Sequence, residues 1–285
     1  MRHKQKAFTL VELLVVIGII ALLLAIAMPA FNVVKTQAKK ASMKAAISAM
    51  SVGLEQFKND MGYYPDSTMM NGAMRIIGTE ESSVTYGDTG AHHLANAMFG
   101  IDMLGYNKNN IYDIDPVTGE AIDREEQYVN IENLNVINFR RLNVVDFGKK
   151  VTELGLPDNW DNLNPIITDD FKPDRPRPVL YYRARTNRHL IGEICDRRDN
   201  ASITDNPACL GFSPSADPSD PLTYELGTFE GFIWNPLTGM GVNESDRLKH
   251  LSARPYNKDS FLLISAGPDG LYGTGDDVCN FEVKE

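Results

Sequence analysis

From Leu13 to Phe31 the chain runs for nineteen residues without a charged or polar side chain, interrupted only by Gly18 and Pro29. A helix of that length, rising about 1.5 Å per residue, extends about 28 Å, close to the hydrocarbon thickness of a bilayer. Residues 13–31 can therefore span a membrane. Ahead of the run stand MRHKQKA, with three basic and no acidic side chains. A secretory signal would have a shorter apolar core and a small-residue cleavage site, for which Ala25-Ile26-Ala27 qualifies. A plain single-pass anchor would explain the length but not Thr9 and Glu12 at its start. A carboxylate in a membrane segment is costly unless it finds a cation or the interface, so Glu12 is a candidate functional residue.

Beyond Pro29 the chain continues as VVKTQAKKASMKAAISAMSVGLEQFKND, rich in Ala, Lys, Met and Gln, with no further Pro before residue 65. Ile47, Met50, Leu54, Phe57 and Met61 recur at spacings of 3 and 4, which predicts one apolar face on a helix extending to residue 60. Gly62 can take the left-handed conformation that ends a helix, and Pro65 prevents its resumption. The segment 8–60 thus reads as one helix of about 50 residues, membrane-spanning in its first half and amphipathic in its second.

The stretch KQKA-FTLVELLVVIGIIALLLAIAMPAF resembles the class III signal of type IV pilins and type II secretion pseudopilins. GLEQFKNDMGYYPDS, residues 53–67, is similar to the end of the long helix in the major, or G-type, pseudopilin. The resemblance implies a leader of residues 1–7, cut between Ala7 and Phe8 by a prepilin peptidase, and N-methylation of Phe8. Where the family usually has Gly before the cut, this chain has Ala7. It further implies an assembly role for Glu12, a helix kink at Pro29, and a leader on the cytoplasmic side of an inner membrane. Lysines flank the run on both sides, so charge alone leaves the orientation open. The implied partners are the peptidase, copies of the chain and other pilin-like subunits in a helical filament, and an inner-membrane assembly platform. In such a filament the Glu12 carboxylate would pair with a neighbouring subunit's Phe8 amine.

The chain has 28 basic and 38 acidic residues; eight basic and three acidic precede residue 61, leaving 20 and 35 in residues 61–285. That acidic balance argues against a nucleic-acid partner bound through phosphate. The resemblance puts this body outside the cytoplasm, periplasmic or extracellular. A helix is predicted to start at Thr89-Gly90, with Leu94, Met98, Ile101 and Leu104 on one face and Gly105 at its end. Residues 106–133 read as loop. Strands are predicted at 179–184, 231–234 and 260–265, separated by Pro-rich connections. The fold class is α+β: a long helix packed on a small antiparallel sheet with long insertions, above all 66–178. His92 and His93 point about 100° apart on a helix with no third zinc ligand in place, and read as surface or half-buried polar groups. Cys195, Cys209 and Cys279 allow three pairings; the local one, Cys195 with Cys209, would contribute roughly 3 kcal/mol.

The last chemistry-bearing stretch is SAGPDGLYGTGDDVCNF, residues 265–281. Asp269, Asp276 and Asp277 stand among four glycines, so carboxylates and backbone carbonyls can wrap one hard cation such as Ca²⁺. The stretch resembles the calcium loop that ends major pseudopilins. No G-x-S-x-G, P-loop or H-E-x-x-H occurs, so a structural subunit is the leading reading and no catalytic residue is assigned. A membrane-tethered binding or hydrolytic domain is the alternative.

Overall fold

The computed structural model describes residues 10–67, 89–100, 105–107, 124–125, 127–138, 165–188, 194–200, 229–235, 237–238 and 254–282. Helix α1, Leu10–Met61, is continuous through Pro29. Its first half is exposed along its whole length, whereas Met43, Ile47, Met50, Gly53, Leu54 and Phe57 in its second half are buried. The change follows the sequence: apolar side chains cover the whole circumference up to Phe31, then withdraw to one stripe. Gly62 ends the helix at φ 82°, its N–H donating to the Lys58 carbonyl at 2.7 Å. The turn that follows is tied back to α1, since the Tyr64 hydroxyl donates to Glu55 at 2.8 Å and accepts from Lys58 at 3.1 Å.

The stripe packs on a three-stranded antiparallel sheet of order β5 (Leu180–Arg183), β6 (Phe261–Ser265), β7 (Val278–Cys279). The register pairs Tyr181 with Leu263 and Tyr182 with Leu262. Alternation therefore sends Tyr181, Phe261 and Leu263 toward α1, and Leu180, Tyr182, Leu262 and Ile264 toward a second apolar cluster on the opposite face. Both faces are covered, so β5 and β6 read as unbroken apolar runs. Helix α2, Gly90–Phe99, joins α1 on the first face. Gly53 sits where these helices meet: a Cβ there would lie 2.6 Å from Val129 Cγ2 and 2.9 Å from Met98 Sδ.

Two further pairs, β1 (Tyr106–Asn107) with β2 (Arg124–Glu125) and β3 (Asn135–Asn138) with β4 (Pro165–Thr168), are antiparallel. The first falls within residues expected to be loop. The expected helix to Leu104 stops instead at Phe99, because Gly100 turns left-handed at φ 82° and its N–H closes on Asn96 O at 2.9 Å. Ile101 and Leu104 lie outside the described residues. The expected strand 231–234 is a helix, α3 (Phe229–Ile233), leaving only Trp234 in a bridge to Pro255. Phe229 and Ile233, four residues apart, both enter the second cluster, and a run this short carries no decisive period. His92 is 1% exposed rather than at the surface, its Nδ1 2.7 Å from the Thr89 hydroxyl. Burial pushes its pKa down to about 3, so it is neutral in the core.

Candidate functional site

Two places hold the residues singled out in the sequence. At one end, Glu12 lies in the first turn of α1, where a carboxylate is favoured by the helix dipole. Leu13, Leu14, Ile17, Leu24 and Phe31, at 53–70% exposure, lie among the exposed apolar residues that follow it. The helix is long and apolar enough to cross a membrane, and its apolar window is not covered by the rest of the chain. Ala7 and Phe8 lie outside the described residues.

At the other end, the segment from Gly267 to Asp277 folds back on itself. Carboxylate oxygens of Asp269, Asp276 and Asp277 all come within 4.8 Å of one another. The curl depends on Gly267 at φ 62°, where a Cβ would stand 2.5 Å from the Asp276 carbonyl oxygen. Short bonds hold the carboxylates. The Asp269 N–H donates to Asp276 at 3.1 Å, the Leu271 N–H to Asp269 at 2.8 Å, and the Gly273 N–H to Asp277 at 2.7 Å. The Thr274 hydroxyl donates to Asp276 at 2.5 Å. Burial pushes the Asp277 carboxyl up to about 8; the Gly273 and Thr274 bonds pull against it, and the charges of Asp276 and Asp269 add to it.

The connection from β4 to β5 clasps this segment from outside. Lys172 donates to the Asp269 carbonyl, Arg177 Nε donates to the Gly270 carbonyl at 3.0 Å, and the Tyr272 hydroxyl donates to Pro178 O at 2.5 Å. Sequence reasoning missed these three partners, which stand about 90 residues away and carry no motif.

A third cluster, not foreseen, joins four segments of the body. Asn200 is fully buried; its Oδ1 accepts from the Ala91 N–H at 3.1 Å and its Nδ2 donates to Tyr181 O at 2.9 Å. It caps α2 from a distance, since the Thr89 side chain makes no cap bond. Beside it Asp199 accepts from Ser67 at 2.7 Å and Arg185 at 2.6 Å, while burial pushes its carboxyl up to about 6. Cys195, two residues before the 3-10 helix Arg197–Asn200, is a free thiol, fully buried, and burial raises its pKa. Its expected partner Cys209 lies outside the described residues.

A family model described as the prokaryotic N-terminal methylation motif matches residues 2–28. The chain is similar to the type IV major alpha-pilin of Moraxella bovis, with 26% identity over 131 residues, 43% of this chain and 74% of that protein. No solved structure matches the chain significantly.

Proposed function

We propose that the chain, whose residues 2–28 match the N-terminal methylation motif and which is similar to a type IV major pilin, is of the type IV pilin and pseudopilin family and is a structural subunit of a type II secretion pseudopilus or pilus-like filament, assembled through α1. The observation that carries this reading is the form of α1: one helix, apolar on all sides where nothing covers it and apolar on one stripe where it enters the body. Prepilin peptidase would cut between Ala7 and Phe8 and the Phe8 amine would be methylated. The subunit would wait in the inner membrane until an assembly platform passes it to a filament of its own copies and related subunits. Pairing of Glu12 with a neighbour's Phe8 amine would then fix the axial register in a low-dielectric core. A body carrying 20 basic and 35 acidic side chains would line the outside. Immunogold electron microscopy of cells overproducing the chain tests the proposal. Labelled filaments are expected; a label confined to the membrane of assembly-competent cells would favour a tethered domain instead.

We also propose that Asp269, Asp276 and Asp277 hold Ca²⁺. Oxygens coordinating one calcium at 2.3–2.6 Å are at most about 5 Å apart, and the three carboxylates meet that limit. The donors are hard oxygens throughout, which suits calcium rather than a thiolate-seeking metal. Bound calcium would remove the repulsion among the carboxylates and fix the segment against β6 and β7. At about 100 times its dissociation constant a ligand specific to the folded state stabilises by about 2.7 kcal/mol. In detergent-solubilised full chain, chelation should therefore lower the melting temperature and millimolar Ca²⁺ restore it, with Mg²⁺ a poor substitute. The double substitution Asp269→Ala, Asp276→Ala should abolish the response. Equal melting in chelator and in calcium would make the segment an ordinary acidic turn.

A further inference from the structure

Between the apolar run and the first buried residue of the body, Met43, α1 forms a stalk that the body covers only in part. From residue 13 to residue 54 the helix contains no acidic residue, yet Lys35, Lys39, Lys40 and Lys44 cluster within ten positions. Lys39 is committed within the chain: its ammonium donates to the carbonyls of Asp170 and Phe171 and lies 3.5 Å from the Asp170 carboxylate. Among the described residues, Lys35, Lys40 and Lys44 take part in no ion pair, and Lys35 and Lys44 are exposed. Among the described residues, three cations thus stand uncompensated on a stalk that carries a body with a large acidic excess.

Their height along the helix identifies what would compensate them. Counted from Phe31 at about 1.5 Å per residue, Lys35 stands about 6 Å, Lys40 about 14 Å and Lys44 about 20 Å beyond the apolar run. The headgroup layer adds roughly 5–8 Å to each side of the hydrocarbon, and a lysine's four-carbon stem lets its ammonium reach back toward it. Lys35 lies within that layer, Lys40 within reach of it, and Lys44 at the edge of the screening distance of about 8–10 Å. We infer that Lys35 and Lys40, supported at longer range by Lys44, form a cationic collar that binds the phosphates of anionic lipid headgroups at the bilayer surface from which the body projects. The collar offsets the repulsion between an acidic body and an anionic surface, and it fixes the depth of α1. Entry into a filament must break these contacts, so they add to what holds the subunit in reserve. The inference rests on the reading of α1 as membrane-spanning.

The test is amine labelling of the full chain in nanodiscs, read lysine by lysine by mass spectrometry. One set of discs contains phosphatidylcholine alone and the other about one third phosphatidylglycerol. In anionic discs at low salt, labelling of Lys35 and Lys40 should fall several-fold, that of Lys44 less, and high salt should erase the difference. Lys39, held by Asp170 and Phe171, should label equally in both. The variant Lys35→Gln, Lys40→Gln should lose the lipid dependence at Lys44. Equal labelling of Lys35 in the two lipids, with residues 13–31 protected from protease, overturns the collar. Protection that follows the number of chains per disc rather than lipid charge overturns it in favour of a second copy. Cleavage within residues 13–31 in both kinds of disc would instead refute the spanning reading itself.

Discussion

Replacing Glu12 with Ala should leave the subunit in the membrane and remove it from filaments. The residues around the carboxylate in the first turn of α1 are exposed, so its removal opens no cavity in the core of the body. In a bilayer it is a cost of a few kcal/mol, so its removal makes insertion as easy or easier. In the filament it would be one partner of a desolvated pair, and taking one partner away costs about 3–5 kcal/mol. Incorporation should therefore fall by roughly 100-fold to several thousand-fold in a strain lacking the unmutated copy. The measurement is the ratio of subunit in sheared filaments to subunit in membranes. Glu12→Gln should fail almost as badly, because it keeps the shape and loses the charge. A normal ratio for Glu12→Ala would eliminate pairing as the register device.

Asn200→Ala should be among the most damaging single changes in the body. It strands the Ala91 N–H and the Tyr181 carbonyl, both of which it satisfies from a fully buried position. Each orphaned group costs about 1–3 kcal/mol, so roughly 2–5 kcal/mol is expected in all. For a chain of this size that corresponds to a fall in melting temperature of about 5–15 °C. Gly90→Ala should do comparable harm by a different route, since a Cβ there would stand 2.0 Å from the Tyr181 carbonyl oxygen and push α2 off β5. The two changes break the same junction, so their effects should not add. A melting temperature for Asn200→Ala within a degree of the unmutated chain would show that α2 does not depend on its remote cap.

How much of this was legible depended on whether the determinant was local. The apolar run, the stripe Ile47–Met50–Leu54–Phe57 and the stop at Gly62 are periodic or positional signals, and α1 follows them nearly residue for residue. Strands β5 and β6 were readable because burial on both faces makes them continuous apolar runs. The convergence of Asp269, Asp276 and Asp277 was foreseeable from their spacing among glycines. Helix α3 was not, because FIW has no period and its state is decided by Phe229 and Ile233 finding the same cluster. Strands β3 and β4 pair across a separation of about thirty residues, and β7 is two residues long; neither leaves a local signature. The clasp from Lys172, Arg177 and Pro178 and the Asp199–Asn200 junction were invisible for the same reason. Polar residues in a row read as loop until the fold brings their partners to them.

A processed filament subunit has α1 at its mature N-terminus, and the intact mass of the membrane-extracted protein tests that directly. A chain of 278 residues beginning with a methylated Phe8 is predicted. A mature chain beginning at Met28, cut after Ala25-Ile26-Ala27, or an unprocessed chain still beginning at Met1 in cells that contain the peptidase, would contradict it.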